Sequence, residues 1–259
     1  MGLNISALKA KLNQFTKQGD RNESIWKPTE GKTVIRIVPY KENRENPFIE
    51  LNFHYLGNKT YLSPTSYGNR DPILEFAEEL ASTGGKDGWM QSRAFRPKLR
   101  THVPIIVRGE EEKGVRFWAF GKTVYTELLS LIDDPDYGDI TDVKSGHDLV
   151  IEYIPQEKSD TNFAKTMVRA KPSKTPLAAS AEQVQKFLTD QPDIRALFKE
   201  PTFQELKVAL SRYLNPDEDG PTAVNDEEVT SSPTAARSAE VKNSTSVKDM
   251  IDEFDEVFN

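Results

Sequence analysis

Between Trp26 and Arg169 the chain carries five segments crowded with β-branched and aromatic residues. They are TVIRIVPY (Thr33–Tyr40), FIELNFHYL (Phe48–Leu56), VPIIVRG (Val103–Gly109), GVRFWAFGK (Gly114–Lys122) and DLVIEYIP (Asp148–Pro155). Such residues fit a pleated, half-buried surface better than a helix. Turn pairs separate them: Gly57-Asn58, Gly84-Gly85, Arg108-Gly109 and Ser145-Gly146. Helical patterns interrupt the series at Pro72–Thr83 and Thr123–Ile132, and follow it at Ala181–Thr189 and Phe203–Leu214. The order predicts an α+β, mainly β fold: a five-stranded Greek-key barrel with added helices, a pattern that other small barrels share.

The two ends differ from this middle. Asn4 can cap a helix whose Ile5, Leu8, Leu12 and Phe15 fall on one side, with Lys9 and Lys11 beside them and Gly19 after it. That stripe suits a helix docked on its own core, or an arm laid on a neighbouring copy. From about Pro216 the chain is rich in Pro, Ser, Thr and acids and poor in large apolar residues, which predicts a disordered linker. It closes on SVKDMIDEFDEVFN, where Met250, Ile251, Phe254, Val257 and Phe258 interleave with Asp249, Asp252, Glu253, Asp255 and Glu256. The expected divisions are therefore an arm over 1–20, a core over 21–214 and a tail over 215–259. The formal charge of −7 follows them: Met1–Glu200 sums to about +1 and Pro201–Asn259 to about −8.

Within the core, cations and rings alternate. Arg93, Arg96, Lys98 and Arg100 surround Phe95, and Arg116, Phe117, Trp118, Phe120 and Lys122 follow. A single nucleic-acid strand is held without base readout by cations along its phosphates and aromatic faces on its bases. In a strand, Trp118, Phe120 and Lys122 share one face and Phe117 the other. Because Lys122 must reach water, that face is assigned to a binding cleft and Phe117 to the core. Arg36, a charge inside the apolar run TVIRIV, must reach solvent, a partner or a ligand. Tyr55, Lys59, Tyr61 and Tyr67 form a second candidate group; Phe163, Lys165 and Arg169 form a third.

Catalytic signatures are missing: there is no Walker loop, GxSxG or HExxH. With no cysteine, disulfides and thiolate metal sites are excluded. Asp133-Asp134-Pro135-Asp136 lacks the spacing of a calcium loop and reads as a solvated turn. No apolar run approaches the ~18 residues needed to span a bilayer, so no membrane role is expected.

In its ordered set of motifs the chain resembles the T-even-type phage single-stranded-DNA-binding proteins, the gene-thirty-two product family. The motifs are Trp26-Lys27 before TVIRIVP, then GNKTYL (Gly57–Leu62), the cations leading into VPIIV, FWAFGK (Phe117–Lys122), TNFAK (Thr161–Lys165), PTFQEL (Pro201–Leu206) and the acidic-apolar tail. The resemblance implies an OB-fold-like core with a cleft for single-stranded DNA, and no enzymatic activity. It implies self-association along DNA through the arm (Ile5, Leu8, Lys9, Lys11, Leu12, Phe15). It also implies capture of phage replication and recombination proteins by the tail (Ile251, Asp252, Phe254, Asp255, Phe258), in the cytoplasm of an infected bacterial host. By position, Trp118 and Phe163 fall on aromatic sites and Arg36, Lys98 and Lys122 on basic ones, while Thr101 and His102 replace two aromatics. The zinc site known in the family keeps His54 at most: its cysteine stretch reads DPIL (Asp71–Leu74) here. No zinc or other cofactor is expected, and Ile73, Leu74, Phe76 and Leu80 must hold that region. An acidic adaptor or DNA mimic is the competing reading, favoured by the tail and opposed by the clustered cations.

Overall fold

The computed structural model describes residues 23–215; the arm and tail residues named above lie outside the described residues. Among the described residues eight strands and six α-helices are formed. The strands are β1 (Ile25–Trp26), β2 (Gly31–Ile37), β3 (Ile49–Leu56), β4 (Lys59–Leu62), β5 (Lys98–Val107), β6 (Arg116–Phe120), β7 (Gly146–Ile154) and β8 (Lys165–Thr175). The helices are α1 (Pro72–Thr83), α2 (Gly85–Phe95), α3 (Lys122–Asp133), α4 (Ala181–Thr189), α5 (Ile194–Leu197) and α6 (Phe203–Leu214). The described chain divides into two compact units, cut between Glu50 and Leu51, Leu99 and Arg100, and Leu197 and Phe198.

The first unit is built on a mixed, mostly antiparallel sheet in the order β1-β6-β5-β2-β7-β8. Within that order β1 and β6 run parallel, with Ile25 beside Phe117 and Trp26 beside Trp118, and the other four neighbouring pairs are antiparallel. Along β2, Ile35 and Ile37 point into the main core with Val103, Ile105 and Val107 of β5, Trp118 and Phe120 of β6, and Leu149 and Ile151 of β7. Val124 and Leu128 of α3 close that side. The opposite face is covered as well: Ile106 and Val115 pack with Val38, Leu177 and Phe187. Coverage on both faces explains why Thr101–Val107 is buried throughout and reads as an apolar run rather than an alternating one.

The second unit sets the β3–β4 hairpin against α1, α2 and α6. The hairpin pairs Leu56 with Lys59, so Gly57-Asn58 is the whole turn, and Gly57 takes φ +58, a left-handed value that glycine adopts without penalty. Its core joins Leu56, Ile73, Phe76, Ala77, Leu80, Phe95, Leu206 and Leu210. Leu74 is only half-buried and stands outside this cluster, so the packing expected of it passes to Phe95 and the α6 leucines. Helix α1 starts where Asp71 caps it, accepting from the N–H groups of Ile73 at 2.9 Å and Leu74 at 3.2 Å, with Pro72 in the first turn. Helix α6 opens on a full capping box between Thr202 and Glu205. Among the described residues no helix is long and apolar enough to cross a membrane.

Candidate nucleic-acid interface

In the first unit, three sequence-assigned cleft residues lie inside the fold. Arg36 is fully buried, and its guanidinium donates to the Asp142 carbonyl at 2.6 Å, the Thr175 carbonyl at 3.0 Å and Thr175 Oγ1 at 3.3 Å. Asp148 lies 3.7 Å away and is itself gripped by Arg108 at 2.8 Å. Burial lowers the Arg36 pKa and the Asp148 charge opposes that shift. The arginine is a buried clamp between β2 and the segments flanking β7 and β8, so its assignment to a DNA cleft is corrected. Gly146 is required beside it, because a Cβ there would meet Arg36 Nη2 and the carbonyl oxygens of Ile140 and Asp142.

Trp118 and Phe120 are likewise corrected. They are 1% and 4% exposed, and their rings lie 4.6 Å apart at 59°, with Trp26 set edge-on to Trp118 at 5.9 Å. The expectation that one face of this strand meets solvent failed because both faces of β6 are covered: Phe117 on the other side is also fully buried, against Tyr40. Thr101 and His102 are buried too, so neither offers a surface to a base.

Of its candidate residues the first unit exposes Lys122, Lys165, Arg169 and the ring of Phe163, and half-buries Arg100. Lys122 is exposed at the first residue of α3, where the Gly121 cap has no side chain to offer the helix N–H groups. Arg100 comes to the same place: a Cβ on Gly121 would lie 3.3 Å from its Nη1. A helix start flanked by two cations suits a phosphate. On the β7–β8 hairpin, Phe163 is 54% exposed in the connecting loop, with Lys165 and Arg169 exposed along β8. Val168 and Ala170, on the alternate face, pack on the main core. β8 is also the last strand of the sheet order, and outward cations are how edge strands resist pairing with other chains. The two roles are compatible.

In the second unit, Lys98 Nζ lies 5.4 Å from the centre of the half-buried Tyr55 ring. Arg93 and Arg96 are exposed, and Arg93 sits 5.5 Å over Trp89 of α2. Lys59 and Tyr67 are half-buried, and Tyr61 leans on the unit's apolar core rather than standing out from it. Trp89 is 52% exposed and had not been singled out from the sequence. Its signal was available: a tryptophan in a polar, glycine-rich stretch, four residues before an arginine.

The place of His54 carries a different chemistry from a metal centre. One ring nitrogen lies 2.7 Å from Asp71 Oδ2 and the other 2.7 Å from the Phe95 carbonyl oxygen, and all of this is buried. Both partners are oxygen atoms that accept, so His54 bridges the Asp71 side chain to the end of α2 with both ring nitrogens engaged. Ser63 Oγ donates to the same Asp71 oxygen. Burial would raise the Asp71 carboxyl, but the hydrogen bonds from His54, Ser63 and the Leu74 N–H outweigh it and hold it below the usual aspartate range. With both His54 nitrogens engaged and Asp71 capping α1, these residues do not fit the zinc centre that the resemblance brings to this place. Among the described residues no group of three metal-ligating side chains exists.

Exposed cations beside exposed rings, on both units, suit a polyanion that carries flat bases. The chain belongs to the gp32 DNA binding protein like family, whose model matches residues 29–214. That family is a DNA-binding, non-enzymatic one, and its span takes in both units. No curated protein matches the chain.

Proposed function

We propose that the chain binds and coats single-stranded DNA without reading its sequence, on an OB-fold-like core, during phage DNA replication, recombination and repair. The observation that carries this reading is the family match over residues 29–214. Its exposed groups support it: Lys122 at the start of α3, Phe163, Lys165 and Arg169 on the β7–β8 hairpin, and Arg93, Arg96 and Lys98 in the second unit, with the half-buried Arg100 and Tyr55 beside them. Self-association along DNA and the recruitment of replication proteins are assigned to the arm and to the acidic tail. The setting is the cytoplasm of the infected bacterium.

A titration of unstructured oligothymidylate, followed by anisotropy at several salt concentrations, tests the core of the proposal. Log K should fall against log salt with a slope of about −0.7 per phosphate contacted. Binding should be much stronger than to duplex of the same length. Equal affinity for duplex, or a flat salt response, would remove the proposal.

A further inference from the structure

Helix α2 presents a ring and cations on one narrow stripe. At 100° per residue, Lys86, Trp89 and Arg93 fall within about 60° of arc, while Gly88, Ser92 and Phe95 occupy the buried side. Lys86, Trp89, Met90 and Arg93 are all exposed. Tryptophan is a residue that folding ordinarily hides in large part, and here it is 52% exposed beside a methionine at 56%. The guanidinium of Arg93 lies 5.5 Å from the ring centre, which steadies the indole and sets a positive charge beside it.

The platform under this ring is fixed. Gly88, the residue before Trp89, approaches α1 so closely that a Cβ would collide with the Leu80 carbonyl oxygen. Phe95 at the other end is anchored in the core against Phe76, their rings 5.1 Å apart and nearly perpendicular. A ring held on a rigid helix loses little freedom when a flat partner stacks on it.

We infer that Trp89 is a base-stacking residue for single-stranded DNA, with Lys86 and Arg93 taking the neighbouring phosphates. The inference rests on the proposed function and extends it to Lys86 and Trp89, which lie outside the sequence-derived candidates. A base on the ring and phosphates on the flanking cations are the two parts of sequence-tolerant strand binding. An acidic peptide would use the cations but would not need a half-exposed indole set among them.

The tryptophans themselves make the test specific. Of the three, Trp26 is 8% and Trp118 1% exposed, and Trp89 alone faces solvent. Saturating the full chain with oligothymidylate should quench its tryptophan emission, and Trp89→Phe, which keeps only the buried pair, should lose that quenching while retaining most of the affinity. Trp89→Ala should weaken binding about 5- to 100-fold, with melting temperature and circular dichroism unchanged because the side chain is exposed. If the full chain binds but Trp89→Ala binds equally well, or Trp89→Phe is quenched as strongly as the original, the inference falls and the proposed function stands. If the full chain does not bind single strands at all, both fall together.

Discussion

Replacing Arg36 by alanine would take a charged donor from the carbonyl oxygens of Asp142 and Thr175, the former keeping only the Gly146 N–H at 3.0 Å, and leave Asp148 without one of its two cations. The expected cost is about 3–5 kcal/mol, because a buried pair is broken on one side only. Trp118→Ala should cost a similar ~3–5 kcal/mol through the cavity it leaves. Urea unfolding should register both losses, whereas Phe163→Ala should melt normally and weaken strand binding by about 1–3 kcal/mol. A stable Arg36→Ala protein with impaired binding would return that residue to the cleft. Asp71 supplies a pH signature. Its folded pKa lies below the ordinary 3.8, so its contribution is complete above that value and disappears as pH falls through the folded one. Asp71→Asn keeps a competent cap but removes the charge facing His54. It should cost about 1.5–3 kcal/mol at neutral pH, as losing buried hydrogen bonds to a charged group does, and flatten the acid limb of the stability curve; an acid limb unchanged by the substitution would contradict the hydrogen-bonded Asp71 carboxylate. At this scale the sequence was legible only in kind. It marked Arg36 as a charge needing a partner, but the partners lie 106 and 139 residues away, and no local pattern names them.

Elements were read best where their ends are written in chemistry. Asp71-Pro72, Ser180 and the Thr202–Glu205 box fix the starts of α1, α4 and α6, and the expected spans of those three helices match the structure. Helix α2 went unread because its first turn is GKDG, a poor helix former that tertiary packing overrides. β8 is missing from the expected strands because its inward face carries only the half-buried Val168 and Ala170, while its outer positions carry Lys165 and Arg169. The same packing decides the sign of a substitution. In an exposed helix, Gly→Ala gains up to about 1 kcal/mol. At Gly88 the new methyl would press on the Leu80 carbonyl, a backbone atom that cannot step aside. Overpacking of this kind costs about 1–3 kcal/mol and should outweigh the propensity gain. Gly88→Ala is therefore expected to lower the melting temperature, and a rise would show that α2 is not held as closely as described.

For the whole molecule, the distribution of charge matters more than its sum. The segment after Asn215 holds twelve acidic and three basic residues, so a chain ending at Asn215 carries a formal charge of +2 in place of −7. Acids repel phosphate, and on the proposed function those of the tail would compete with it for the same lysines and arginines. Their influence reaches about 30 Å at 0.01 M salt but only about 3 Å at 1 M. Competition through a tethered segment also acts at high effective concentration whatever the protein concentration. Ending the chain at Asn215 should therefore tighten binding to oligothymidylate most at low salt, with the two titration curves converging as salt rises. The apolar Met250, Ile251, Phe254 and Phe258 add nothing to charge repulsion but suit a short amphipathic segment seated in a partner's groove. If the tail recruits replication proteins as proposed, the shortened chain should fail to capture them while keeping the core's melting temperature. Weaker DNA binding after truncation, or a gain that persists unchanged at high salt, would show that the tail does not act as an electrostatic competitor.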